Sequence, residues 1–580
     1  MIRERLLPAR LLLLFFLLLT FPAVAQEAPE DPKDTASQDI DFQDIDFVDS
    51  VDVNVVNVEV FVTDKDDKPV TGLSRDDFEI FEDGRPVKIS NFYAVADGVP
   101  STTSDVIEAL PPLAEEPRAQ QEVALPESQR LYLILYFDNL FLKPFSRRRV
   151  MRDLRSFLAT SITPEDRIMV ITAERTLHVR QPFTTDLALV YEAMDEIETM
   201  SAFAVQDAAE RQRVIKLVES SRTFLEAEGF VDFYAREISQ FVDRSIGALK
   251  EMIAPLAGLE GRKALVYVSD GLPMTAGGDL YHLLDLRFGK TGSAGIRAKR
   301  YDARSRFREL VMSANANRVT FYTLEAAGLR SHASLSAEYG SSSTGGSMID
   351  TDLTRDFNHQ EPLQMMALDT GGLATINTNN ISGALARMGE DFRSYYSLGY
   401  LSGHFGDGRA HTIDVRVKQK GLKVRHRKSY RDKTHESRLI EAVMAALRFG
   451  GGANPVELAL DFGALKPSDK GAYLVPITVT VPFSRVTLLP RDGTHNGSLR
   501  LVVTVMDEED AMSQPEVVPM PLTIPNDHVE AVRQQNVVYE AELRMRPGIH
   551  YVAVGLRDEI SGEMAIVRRG IRVASEAGGR

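Results

Sequence analysis

Two uninterrupted apolar runs, each closed by an aspartate, constrain the architecture more than any other feature: "RLYLILYFD" (130–138) and "KALVYVSDG" (263–271). A strand with water on one face alternates apolar and polar residues. A strand apolar at every position is buried on both faces, as in the interior of a parallel sheet covered by helices. The residues around the two runs supply those helices. "RRRVMRDLRSFLATSI" places Val150, Leu154 and Leu158 on one face, and "DLALVYEAMDEIETM" reads as a helix capped by Asp186. A long helical stretch is expected from about Ala208 to Leu256; "RFRELVMSANANRVTFYTLEA" reads as a helix then a strand, and "GGLATINTNNISGALARMGEDF" as a short strand then a helix. Repeated strand–helix units over residues 129–400 predict an α/β fold with a mostly parallel sheet and helices on both sides.

Other segments have a different periodicity. "VDVNVVNVEVFVTD" alternates strictly, and "DFEIFEDGRPVKISNFYAV" reads as two strands around a Glu82-Asp83-Gly84 turn. Residues 51–97 are therefore a small β-rich module, and residues 98–128, with "LPPLAEEP", a linker. The Ser- and Gly-rich 328–360 segment is expected to be a loop. The α/β domain runs over 129–432 and ends in a closing β-hairpin; a helix and linker occupy 433–454. Residues 455–575 alternate around turns such as "PRDGTHNG" and "MRPGIH" and predict a C-terminal β-sandwich.

At 580 residues the chain is long enough for roughly three or four domains. Its formal charge of −16 argues against a general nucleic-acid binder, which needs clustered Lys and Arg. Residues 1–25 have the form of a secretory signal: Arg3, Arg5 and Arg10 precede the apolar run Leu11–Leu19, and Ala23-Val24-Ala25 offers a cleavage site. An acidic leader with the echo "DIDFQDIDF" follows over 26–50. A secreted or periplasmic protein, with no transmembrane span after cleavage, is expected. The chain has no Cys, so neither disulfides nor thiolate metal sites are available.

Read together, "DFEIFEDGRPVKI", "LYFDN", "LVYVSDG", "LDTGGLATINT", "SYYSLGY" and "VRVKQKGLKVRHRKSY" resemble the VWFA-related proteins of acidobacteria, secreted proteins with a von Willebrand factor A-type domain; the resemblance covers residues 51–430. It implies a doubly wound, mostly parallel sheet and a binding role, with no defined ligand. In such sheets ligands sit at the carboxyl ends of the strands, where Asp138 and Asp270 are both expected. Two carboxylates there suit a hard cation such as Mg²⁺, which takes oxygen ligands. The family's intact metal site resembles Asp-x-Ser-x-Ser with a later Thr and a further Asp. Here Asp138 is followed by Asn139, Leu140, Phe141 and Leu142, so both hydroxyl positions are Leu. No Gly-Gly-Thr follows "YEAMDEIE"; Thr199 and Ser201 are the nearby hydroxyls. Two readings stand: a weak or lost Mg²⁺ site at Asp138 and Asp270, or strand-end residues that bond loop amides. The second is preferred.

Other constellations are bland. His178, His282, His332, His359 and His404 are scattered with no His-Glu-x-x-His, and neither Gly-x-Ser-x-Gly nor a phosphate-binding Gly-x-x-x-x-Gly-Lys occurs. Lys423, Arg425 and Arg427, with Lys428 beside them, read as a solvated strand face, and Tyr395, Tyr396 and Tyr400 as packing at a sheet edge. The reading is an exported, non-catalytic protein that recognises a protein or cell-surface partner through the carboxyl-end rim. An envelope scaffold acting through its β-modules and a hydrolase assembled from distant residues are the alternatives.

Overall fold

The computed structural model describes residues 55–101 and 130–574, apart from 175, 202, 290–292, 330–342 and 405. The expected signal peptide (1–25), the acidic leader (26–50), most of the 98–128 linker and residues 330–342 of the 328–360 segment lie outside these residues. The described chain divides into two compact units at His435/Glu436. Among the described residues no helix is long and apolar enough to cross a membrane, which says nothing of strands.

The first unit opens with β1 (Val55–Thr63), whose alternation buries Val56, Val58, Val60 and Val62. Strands β2 (Phe78–Glu82) and β3 (Arg85–Val87) form the expected hairpin, with Glu82 opposite Arg85. Asp83 and Gly84 both take positive φ, 48° and 76°, the two-residue turn whose twist matches an antiparallel pair. Strands β4 (Ile89–Ala96) and β5 (Val99–Ser101) follow.

The α/β segment then runs β6 (Leu131–Asp138), α1 (Pro144–Ser161), β7 (Arg167–Ala173), β8 (Leu177–Thr184), α2 (Leu187–Thr199), α3 (Phe203–Ser220), α4 (Phe224–Leu256), β9 (Arg262–Ser269), α5 (Gly278–Phe288), α6 (Ser293–Ala298), α7 (Arg304–Ala316), β10 (Val319–Glu325), α8 (Ser343–Asp369), β11 (Ala374–Thr375) and α9 (Ile381–Arg393). Its six strands lie in the order β11-β10-β9-β6-β7-β8. All neighbours are parallel except β8, which pairs antiparallel with β7. Both apolar runs are buried along their whole length. Leu133, Leu135 and Phe137 of β6 share one core with Val150, Leu154 and Leu158 of α1 and with residues of α2 and α9. The alternate positions, Ile134 and Tyr136, are equally buried on the other face. On that face Thr323 of β10 donates its hydroxyl to the Leu363 carbonyl of α8 at 2.9 Å, so helices lie against both faces.

Local chemistry explains the helix boundaries. Pro144 at the first position starts α1 where its missing N–H costs nothing. Asp186 caps α2 as expected, accepting from the Ala188 amide at 2.8 Å. The single long helix expected over 208–256 is two helices: Thr223 accepts from the Glu226 amide and starts α4, and the Ser221 hydroxyl turns back on the Leu217 carbonyl at 2.7 Å. Hydroxyl side chains that compete for backbone partners make the break. The loop expected at 328–360 is also corrected: from Ser343 onward the backbone is α8, whose Leu363, Met366 and Ala367 are fully buried.

Beyond α9 come β12 (Tyr395–Leu401), β13 (Ala410–Val417), β14 (Lys423–His426) and β15 (Ser429–Arg431). They pair with the first five strands, in a sheet ordered β14-β1-β12-β4-β5 and another ordered β15-β13-β2-β3. Val58, Val60, Phe78, Ile80, Leu398, Ile413 and Val415 form their common core. Tyr395, Tyr396 and Tyr400 therefore lie on a central strand rather than at a sheet edge. The basic run is a solvated face only in part: Lys423 and Lys428 are exposed, whereas Arg425 makes a two-pronged ion pair with buried Asp391, at 2.9 and 2.6 Å, and Arg427 donates to the Asn315 and Asn57 carbonyls.

The second unit begins with the amphipathic helix α10 (His435–Phe449) and continues through β16 (Ala459–Phe462), β17 (Lys466–Pro467), β18 (Tyr473–Pro482), β19 (Leu489–Arg491), β20 (Thr494–Asp507), β21 (Glu516–Pro525), β22 (Asn536–Met545), β23 (Gly548–Asp558) and β24 (Met564–Val573). Strands β16, β17, β18 and β22 form one sheet and β19, β20, β21, β23 and β24 another. Val475, Ile477 and Val479 of the first face Leu501, Val503, Val552 and Val554 of the second in a shared core. Leu439, Val443 and Leu447 of α10 pack against Val502, Met506 and Ala553. The helix comes so close that a Cβ on Gly555 would sit 2.2 Å from Val443.

Candidate functional site

Strands β6 and β9 are parallel neighbours, in register with Phe137 opposite Val268. Asp138 ends the first, and Asp270 follows the last residue of the second, so the two acids lie at the same edge of the sheet. The segment between β6 and α1 ties them together. Asp138 Oδ1 accepts from the Leu140 amide at 3.2 Å. Asp270 Oδ2 accepts from the Lys143 amide at 3.2 Å and from the Ser146 hydroxyl at 3.0 Å, which places a carboxylate at the positive end of α1.

Both acids are buried. Asp138 is 0 % exposed and Asp270 7 %. Asp138 Oδ2 accepts from the Tyr267 hydroxyl, and the Tyr267 ring stacks on Tyr136, 5.4 Å between centroids. Burial pushes the Asp138 carboxyl up to about 7, against the hydrogen bonds from Tyr267 and the Leu140 and Phe141 amides. The same burial, with Asp138 alongside, pushes the Tyr267 hydroxyl well above its ordinary range.

The positions after Asp138 are also enclosed. Leu140 and Leu142 are 3 % and 0 % exposed, so they pack as apolar side chains and present no oxygen. Asn139 donates to the Ser201 carbonyl at 2.8 Å and accepts from Arg147 at 2.5 Å. Arg147 is fully buried. It also donates to the Glu198 carbonyl at 3.2 Å and to the Met200 carbonyl, fixing the segment after α2. Thr199 turns its hydroxyl to the Glu196 carbonyl at 2.8 Å. The edge is thus held by a guanidinium, an amide and a tyrosine hydroxyl.

Sequence reasoning placed Asp138 and Asp270 and passed over Ser146, Arg147 and Tyr267. Ser146 had a legible signal, a hydroxyl in the first turn of a helix that starts at Pro144. Arg147 had none, because a basic run on a helix reads as solvated until the backbone carbonyls it serves are known. Above Asp270 the chain is covered by α8: the Met274 amide donates to the Asn358 carbonyl and the Thr275 amide to Asn358 Oδ1, at 2.9 and 2.8 Å. A Cβ at Gly271, where φ is +102°, would lie 2.8 Å from the His359 carbonyl.

No family model matches the chain, and no curated protein matches its sequence. Solved structures are similar only weakly. A β-glucuronidase from Bacteroides uniformis is 11% identical with a TM-score of 0.14, over 33% of this chain and 20% of that one. The SpaC pilus adhesin of Lactobacillus rhamnosus GG is 7% identical with a TM-score of 0.21, over 77% and 52%. A von Willebrand factor type A protein from Catenulispora acidiphila is 10% identical with a TM-score of 0.18, over 77% and 67%. The chain thus spans a fifth of the first and about half of the second. Superpositions this weak carry no argument.

Proposed function

We propose that the chain is an exported, non-catalytic binding protein. Its α/β segment has the doubly wound A-type arrangement, and the segments leaving the carboxyl ends of the parallel strands recognise a protein or cell-surface partner. The strand order supports the arrangement: the chain moves outward from β6 to β8 and then outward the other way from β9 to β11, so the order reverses between β6 and β9, where such sheets hold ligands.

The observation that carries the binding role is the exposure of Phe145 (73 %), Phe357 (70 %) and Leu329 (59 %). Each stands on a segment tied to the end of β9. Phe145 precedes Ser146, which bonds Asp270. Phe357 precedes Asn358, which bonds Met274 and Thr275. Leu329 follows Ala326, whose amide donates to the Ser269 carbonyl at 2.8 Å. Large apolar side chains held in water around one rigid edge suit a partner's apolar surface.

A cation is not part of this reading. Mg²⁺ takes six oxygens, whereas Leu140 and Leu142 offer none, Asp138 is engaged by Tyr267, and Arg147 already brings a positive charge to the loop. The buried acids shape the edge and the exposed apolar groups make the contact.

The test is capture of envelope proteins on the immobilised full-length chain, against a variant carrying Phe145→Ser, Leu329→Ser and Phe357→Ser. Exposed substitutions of this kind leave stability nearly unchanged, so circular dichroism and the melting midpoint should match the parent while the captured species disappear. Undiminished capture by the folded variant would overturn the reading and favour contact through the β-modules.

A further inference from the structure

Outside that edge, two histidines and three carboxylates converge where the β2–β3 turn meets the chain between β12 and β13. His411 Nδ1 lies 2.8 Å from Asp83 Oδ2, and its Nε2 lies 3.3 Å from Asp407 Oδ1. The His404 ring stacks on His411 with centroids 3.9 Å apart. His404 Nδ1 is 3.9 Å from Asp407 Oδ2 and its Nε2 is 3.9 Å from Glu82 Oε2. One ligand atom each from Asp83, His404 and His411 lies within 4.8 Å of the other two.

The shell behind these groups is built. Asp83 Oδ1 is occupied by the Thr412 amide and hydroxyl, at 2.8 and 3.0 Å, which leaves Oδ2 aimed at His411. Glu82 Oε1 accepts from the Tyr400 hydroxyl at 3.0 Å, the Tyr430 hydroxyl at 2.5 Å and the Ser402 hydroxyl at 3.3 Å, which turns Oε2 toward His404. The loop between the histidines is pinned by Asp432, whose Oδ2 accepts from the Gly406 and Asp407 amides. Carboxylates oriented by outer hydrogen bonds and facing imidazoles are how proteins prepare metal ligands. The charge balance agrees. Among the described residues no Lys or Arg pairs with Glu82, Asp83 or Asp407, so three carboxylates face two imidazoles with no fixed cation between them.

We propose that Asp83, His404 and His411 form a divalent transition-metal site of the zinc class, with Asp407 holding the far nitrogen of the His411 ring as an outer carboxylate and water completing the shell. Mixed imidazole and carboxylate donors suit Zn²⁺ or Co²⁺ better than Mg²⁺. Zinc–nitrogen bonds of about 2.0–2.1 Å in a tetrahedron put neighbouring donors about 3.3 Å apart, so modest contraction and splaying of the two rings completes the geometry. His411 is buried while Asp83 stands exposed on its turn, giving the ion an entry path. The bound ion pins the turn at Asp83 to the His404–His411 loop.

The full-length chain, stripped with a chelator, is titrated with Zn²⁺ by calorimetry and with Co²⁺ by visible absorption. One equivalent per chain, a raised melting midpoint and the intense absorption of low-coordinate Co²⁺ are expected. His404→Gln and Asp83→Asn should each weaken binding at least tenfold. Both should fold: His404 is partly exposed, and Asn suits the positive φ of residue 83. Asp414→Asn, a nearby exposed carboxylate, should bind as the parent does. Binding that is absent, or equal in the parent, His404→Gln and Asp83→Asn, would overturn the proposal and leave His411 as a proton-bearing bridge between carboxylates.

Discussion

Replacing Asp138 by Asn should change how stability depends on pH. The carboxyl is held at about 7, up from 3.8 in an open chain, because its ionised form is desolvated at 0 % exposure. Between those values the unfolded chain releases this proton while the folded protein keeps it. The folded state therefore loses stability as pH rises from about 4, and the penalty is complete above about 7. A difference of roughly three pH units, at 1.36 kcal/mol each, makes the full penalty about 4 kcal/mol. From pH 5 to pH 8 the increase is about 2–3 kcal/mol on the same arithmetic. Asn cannot ionise, so the variant should gain that amount on the parent over the interval. Its altered hydrogen bonds to Tyr267 and Leu140 add an offset that does not vary with pH. Urea unfolding at four pH values, with amide exchange in β6 to separate this unit from the C-terminal one, reads the difference; other carboxyls titrate in both proteins and cancel. A difference that stays flat, or one in which the parent gains as pH rises, would refute the burial argument. Millimolar Mg²⁺ should leave the curve unmoved, since only a cation bound at Asp138 would stabilise its carboxylate.

Two further outcomes follow from packing and charge. Asp391→Ala strands the guanidinium of Arg425, whose side chain is 17 % exposed, and should cost about 3–5 kcal/mol in chemical unfolding, as breaking one side of a buried pair does; pairing it with Arg425→Met should recover most of the loss. Gly555→Ala forces a Cβ against Val443 of α10 and should cost about 1–3 kcal/mol by overpacking, relieved when Val443 is also cut to Ala.

How much was legible depended on whether the signal was local. The stretches 131–137 and 264–268 announced strands buried on both faces because no charged side chain interrupts them, and the alternation of β1 announced a strand with one inner face. Asp186 at a helix start and Asp83-Gly84 at a hairpin turn were readable because caps and turns are set by one or two residues. The break at Ser221–Thr223 and the helix from Ser343 were misread, since Ser- and Gly-rich composition does not reveal which hydroxyl caps or which apolar residues find a neighbour. His411 carried an unused hint: it shares the inward register of Ile413 and Val415 on β13.

The amino-acid pattern by itself determined which segments must be strands, which faces are apolar, and that two aspartates end the central runs. Tertiary structure alone decided that β1 pairs with β12 across more than three hundred residues, that Arg147 and Arg425 are enclosed rather than solvated, and that Asp83 meets His404 and His411. The reason is physical: propensity and periodicity act over a few residues, whereas pairing, desolvation and ligand geometry depend on which distant groups the finished fold brings within a few ångströms.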